Sequence, residues 1–156
     1  MRPRSTAALL LLTALSCSPR KPTMDPAMIR EFATNYTAAW CSQNAARVAS
    51  FYAEGGSLKI NTGEAAVGRA GITASAQGFM TAFPDMVVAM DSLSLAGPHP
   101  IFHWTLTGTN TGPGGTGRPV KISGYEEWTI GEDGLIAQSL GHYDEVEYHR
   151  QLMSGR

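Results

Sequence analysis

The chain has 156 residues with a formal net charge of −1, 43% hydrophobic and 16% charged residues, and two cysteines. That length suits one domain with a core of its own. The balanced charge provides no basic surface for nucleic acid or an anionic membrane. Two cysteines are too few for a disulfide scaffold, and the apolar content is too high for a disordered chain.

The first elements describe an address. Arg2 and Arg4 precede a nine-residue apolar run, Ala7 to Leu15, which ends at Ser16-Cys17. A bilayer core needs about 20 apolar residues, so this run is too short to span one. A positive start, a short apolar stretch and a small residue before the cut predict a signal peptide over residues 1–17. The chain is then exported, to the periplasm or the cell envelope. Cys17 resembles the lipidation site of bacterial lipoproteins, and a lipid there would be the chain's one link to a membrane. An ordinary signal cut nearby, with Cys17 incidental, is the alternative. Residues 18–24, with Pro19 and Pro22 and no apolar periodicity, read as a tether before a domain over 25–153.

Asp25-Pro26 has a capping side chain followed by proline at the first helical position. Ile29, Phe32, Ala33, Tyr36 and Trp40 recur at spacings of three and four, predicting a helix to about residue 41. Cys41 reads as a small buried structural residue. Ser42 or Asn44 caps a second, shorter helix carrying Val48, Phe51 and Tyr52, which ends at Gly55-Gly56. Ser57 to Ile60 reads as a short strand, and a third helix fits Gly71 to Phe83, ended by Pro84. From Met86 the period becomes two, with a bulge near Asp91-Ser92. Strands over Ile101 to Asn110, Val120 to Ile130 and Leu135 to Tyr143 come next, the last pair joined by a tight connection over Gly131 to Gly134. A terminal helix covers Glu145 to Leu152. The order predicts an α+β domain, with three N-terminal helices covering one face of a curved antiparallel sheet.

Alternation along the strands singles out the candidate site. Val120, Ile122, Gly124, Glu126, Trp128 and Ile130 share one face, so a carboxyl group sits in the middle of an apolar row. An ionised carboxylate there must be paired or hydrogen-bonded, or its pKa must rise. The preceding strand turns Phe102, Trp104, Leu106, Gly108 and Asn110 inward. In the last strand, unbroken alternation puts Ile136, Gln138, Leu140 and His142 on one face. Apolar walls with the polar groups Asn110, Glu126, Gln138 and His142 suit a small-molecule pocket. Glu126 and a nearby imidazole are also a candidate acid/base pair, although a Glu126 that merely satisfies a buried donor fits equally well.

Other motifs carry less. Gly112 to Pro119 (GPGGTGRP) lacks the Lys-Ser/Thr of a phosphate-binding loop and reads as a hairpin connection. His99, His103 and His142 lack metal-ligand spacing, so neither a metal nor another cofactor is expected.

GTNTGPGGTG (Gly108 to Gly117), ISGYEEWTI (Ile122 to Ile130) and GEDGLI (Gly131 to Ile136), in this order of elements, resemble the SnoaL-like polyketide cyclases of the nuclear transport factor 2-like superfamily. The resemblance implies a cone-shaped barrel over about residues 26–153, a pocket between helices and sheet, and homodimers packed through the sheet backs. In those cyclases an aspartate in the segment matching ISGYEEWTI is the general acid/base of a ring-closing aldol step, and Glu126 stands at that position. A histidine in the segment matching GTNTG assists it, and Asn110 stands there. Glutamate keeps the carboxyl one methylene further in, whereas asparagine cannot shuttle a proton.

The residues support two readings. In the first, the exported domain binds a small apolar ligand between Tyr36, Trp40, Phe102, Trp104, Trp128 and Gln138, without reaction. In the second, it is an acid/base lyase or isomerase acting next to a carbonyl, with Glu126 as base and Asn110, Gln138 or His142 stabilising the enolate oxygen. A cone plugged by Phe102, Trp104 and Trp128 would support neither.

Overall fold

The computed structural model describes residues 25–153. The expected signal peptide, Cys17 and the tether lie outside them.

Asp25 caps α1 (Pro26–Trp40), its carboxylate accepting from the Ala27 amide at 2.8 Å. Ile29, Ala33, Tyr36, Ala39 and Trp40 are the buried face, as the three-and-four spacing predicts. Asn44 caps α2 (Ala45–Ala49) by accepting from the Arg47 amide at 3.1 Å. The chain then leaves the helix earlier than its apolar spacing suggests. β1 runs Tyr52–Ile60, so Tyr52, Gly55 and Gly56 belong to a strand. The pairing of β1 with β6 shifts between Tyr52 and Ser57, and a Cβ on Gly56 would lie 2.7 Å from the Ile136 carbonyl oxygen. Gly56 therefore marks a close backbone approach within the strand, and neither glycine ends a helix.

β2 (Ala66–Val67) leads into α3 (Gly68–Ala82), which starts three residues before the expected Gly71 and stops before Pro84. β3 (Val87–Ser94), β4 (Ile101–Thr109), β5 (Pro119–Ile130) and β6 (Ile136–Tyr143) come next, and α4 (Glu145–Met153) closes the described chain. The β3 bulge falls between Met90 and Ser92, where the sequence puts it.

The six strands form one curved, open sheet in the order β2-β1-β6-β5-β4-β3. Neighbours are antiparallel except β1 and β6, which are parallel, so the sheet is not wholly antiparallel. The return from β1 to β6 passes through the rest of the domain and brings the strands side by side in the same direction. The helices pack on the concave face over an aromatic core. Phe102 and Trp128 stack with centroids 5.0 Å apart, and Tyr36 meets Trp128 edge-on at 5.2 Å. Tyr36, Tyr52, Phe83 and Trp128 are fully buried.

Candidate functional site

β5 keeps strict alternation through its centre, so Val120, Ile122, Glu126 and Trp128 all turn inward, and Glu126 is only 6% exposed. Its carboxyl is held by three donors. Ser139 Oγ donates to Oε2 at 2.7 Å, Trp128 Nε1 at 3.0 Å and Tyr36 Oη at 3.1 Å. Oε1 has a single long contact, 3.4 Å from the same Tyr36 hydroxyl. Behind this layer Tyr36 and Tyr52 share a hydrogen bond of 2.8 Å.

These partners and the burial work against each other. Loss of water raises the Glu126 pKa, while the bonds from Ser139, Trp128 and Tyr36 favour the carboxylate, and burial prevails. Tyr36 and Tyr52 are raised well above the ordinary phenol value, first by burial and next by the Glu126 charge. Both remain protonated, so Tyr36 stays available as a donor to the carboxyl.

In front of Glu126 lies a cavity of about 50 Å³. Leu58, Ile60, Phe79, Val88, Phe102, Trp104 and Leu106 make its wall apolar, and Trp40 closes one side. Glu126, His142 and Tyr143 are its polar or ionisable members. The volume holds a few water molecules, or the end of a small ligand. Gly141, the cross-strand partner of Glu126, belongs to the wall. A Cβ there would meet nothing nearer than 3.5 Å, so a larger side chain at 141 would grow into the cavity.

The structure gathers some of the candidate residues and disperses others. Glu126, Trp40, Phe102 and Trp104 line the cavity, whereas Tyr36 and Trp128 sit behind it as donors to the carboxyl. Asn110 is buried but elsewhere. It stands eight residues beyond Phe102, the register partner of Glu126, which is roughly 26 Å along an extended strand. Its side chain accepts from the Thr116 amide at 2.7 Å and donates to the Ala82 carbonyl at 3.2 Å, pinning the glycine-rich connection to the end of α3. An amide engaged there is out of reach of the Glu126 carboxyl.

β6 departs from the expected alternation. The β5–β6 register shifts between Thr129 and Ile130, where Ala137 is an extra residue. The extra residue inverts the parity of the positions after it. Ser139 and Gly141 therefore face inward, and Gln138 is exposed on the other face. His142 borders the cavity, but its ring lies against Tyr125, centroids 4.9 Å apart, not against the carboxyl. Sequence reasoning missed Ser139 and Tyr52 in the hydrogen-bonded group around Glu126, and Phe79, Gly141 and Tyr143 on the cavity wall. The one clue to Ser139 is a small hydroxyl residue two positions before the Gly141 that faces Glu126.

Cys41 also differs from expectation. It is exposed, and its thiol donates to the Val88 carbonyl and accepts from the Val88 amide, both at 3.2 Å.

An open, curved sheet wrapped on helices, with a pocket in the hollow, is the cone fold of the nuclear transport factor 2-like superfamily. The SnoaL-like domain model matches residues 33–139, more than half of the chain, and the chain belongs to that family. Its fold is similar to that of TsrD from Streptomyces laurentii, with 22% identity, a TM-score of 0.73, and coverage of 84% of this chain and 98% of that one. A protein of ketosteroid isomerase-like fold from Catenulispora acidiphila DSM 44928, solved in complex with trimethylamine, is 18% identical, with a TM-score of 0.69 over 78% of this chain and 92% of that one. The epoxide hydrolase/cyclase-like enzyme SalBIII is 16% identical, with a TM-score of 0.67 over 79% and 95%. No curated protein matches the sequence.

Proposed function

We propose that the domain binds a small, mainly apolar molecule in the cavity in front of Glu126. The observation that carries this reading is an apolar wall interrupted by one buried carboxyl whose position is set by three donors. That is the composition of a small-molecule site, with hydrocarbon surface for affinity and few polar groups for orientation. The narrow volume favours a compact ligand over a polycyclic one, and a structural relative holds a molecule as small as trimethylamine. The test is a thermal-shift and ligand-observed NMR screen of compact organic molecules. A ligand at 100 times its Kd raises stability by about 2.7 kcal/mol. The shift should vanish in Gly141→Leu, which fills the hollow. Equal binding by that variant, or a panel without hits, overturns the reading.

A second reading is an acid/base lyase or isomerase acting next to a carbonyl, with Glu126 as the proton-transferring group. It is favoured by the raised carboxyl and by the sparse bonding of Oε1. A carboxylate that removes an α-proton from a ketone becomes the acid that returns a proton to the same carbon. In D2O the wild type should exchange the α-hydrogens of a bound ketone for deuterium, and Glu126→Gln should not. Binding without exchange supports the first reading alone.

The residues of the leading segment support export, with Cys17 either lipid-modified or lost with the signal. Mass spectrometry of the mature amino terminus distinguishes these two, and an intact Met1 overturns both. The polar outer face of the sheet, with Thr105, Ser123 and Tyr125, supports assembly into a homodimer through the sheet backs. A monomeric mass in solution light scattering overturns that.

A further inference from the structure

We infer that Trp104 is the specificity-determining donor of the cavity, and that the ligand carries a hydrogen-bond acceptor, such as a ketone, ester or ether oxygen, for its indole N–H. The inference rests on the ligand-binding reading above and deepens it by naming the ligand's polar group.

Trp104 Nε1 is buried and has no hydrogen-bond partner, the one such side-chain nitrogen or oxygen among the described residues. Buried donors are as a rule satisfied, so an orphan on a residue that lines a cavity marks a place where a small movement of the ring admits a partner from outside the chain. The contrast with Trp128 is internal to the same site. Both indoles come from inner positions of adjacent strands, but Trp128 Nε1 donates to Glu126 while Trp104 Nε1 donates to nothing.

The local backbone is shaped to hold the Trp104 ring where it is. Its register partner is Gly124, and a Cβ there would lie 2.6 Å from Cζ2 of the indole. Only a residue without a side chain lets the ring lie across β5. Tyr143 meets it from the other side at a centroid distance of 6.4 Å. The ring is thus positioned by Gly124 and Tyr143, with its one polar atom left unused.

Trp104 is also the diagonal neighbour of Glu126, because Gly124 lies directly opposite it and Glu126 is two residues further on. Such neighbours are about 7–8 Å apart. A compact molecule with its acceptor at one end can therefore touch both residues, and the rest of its surface meets hydrocarbon.

The test uses full-length protein and two isosteric probes, cyclopentanone and methylenecyclopentane, which differ by an oxygen in place of a methylene group. The affinity of cyclopentanone relative to methylenecyclopentane should be about tenfold higher in the wild type than in Trp104→Phe, which is the scale of one such hydrogen bond. Cyclopentanone should also move the Trp104 indole N–H resonance downfield, which the hydrocarbon should not. Trp104→Phe keeps an aromatic ring but has no N–H, so it should lose affinity for the ketone and keep its affinity for the hydrocarbon. The resonance assay on the unaltered protein stands even if that variant does not fold. A ketone-to-hydrocarbon affinity ratio that is the same in wild type and Trp104→Phe, or an indole N–H resonance that the ketone does not move, overturns the inference and leaves the binding reading intact. Failure of both probes to bind the wild type overturns the inference, and the binding reading falls with it only where the wider panel also gives no hit.

Discussion

Ser139 Oγ donates to Glu126 Oε2 at 2.7 Å, although the two residues are not opposite each other in the sheet. Glu126 faces Gly141, and Ser139 faces Trp128. The serine reaches diagonally across the β5–β6 ladder into a space that Gly141 leaves free. It shares Oε2 with Trp128 and Tyr36, so one oxygen collects the donors and the other remains sparsely bonded.

The carboxyl should leave a signature in the pH dependence of stability. Burial raises the Glu126 pKa in the folded state above its value in the unfolded chain. The folded state then holds a proton that the unfolded state has released, so stability falls as pH rises. Its contribution is fully present below the unfolded carboxyl pKa and is lost as pH rises through the folded value. Urea denaturation of the wild type across this window should show the decline, and Glu126→Gln, which cannot titrate, should flatten it. Parallel curves for the two proteins would contradict the raised pKa.

Removing donors should raise it further. Ser139→Ala and Tyr36→Phe each take away a bond that favours the carboxylate, so a carbon-13 NMR titration of the Glu126 carboxyl should end at higher pH in each. At neutral pH each should cost about 1–3 kcal/mol, because a buried acceptor loses a partner. Tyr36→Phe also leaves the Tyr52 hydroxyl without its 2.8 Å neighbour. The double variant should depart from additivity, since both changes act on one carboxyl group.

Asn110 should behave as a structural residue. Asn110→Ala removes the acceptor of the Thr116 amide and the donor to Ala82, and should cost about 1–2 kcal/mol in denaturant unfolding. Ligand affinity in the folded variant should match that of the wild type. A loss of affinity of about tenfold or more would place Asn110 in the site after all.

The Cys41 thiol occupies backbone groups of β3, a strand with only one sheet neighbour. Unpaired edge groups are templates for another strand. Cys41→Ala should speed hydrogen exchange at the Val88 amide and increase aggregation on heating, whereas Cys41→Ser should retain protection because the hydroxyl can both donate and accept. Unchanged Val88 exchange in Cys41→Ala would show that the thiol contact is dispensable.

Legibility varies with strand regularity. Glu126 is legible as inward-facing because β5 alternates without interruption around it, so parity alone sets its side. Asn110 is legible as buried, but alternation assigns a face and not a distance along the strand. For Gln138 and His142 the count runs through Ala137, where one additional residue reverses the faces.

The amino-acid sequence by itself determined the helix boundaries at Asp25 and Pro84, the inward row of β5 and the family to which the chain belongs, since caps, periodicity and motifs act over a few neighbouring residues. Only the tertiary structure decided that β1 runs parallel to β6, that Ser139 rather than Gln138 meets the carboxyl, and that Trp104, on the cavity wall, keeps a buried and unpaired N–H. These depend on the register between strands and on packing across the cone, where one bulge or one glycine far along the chain changes which atoms meet.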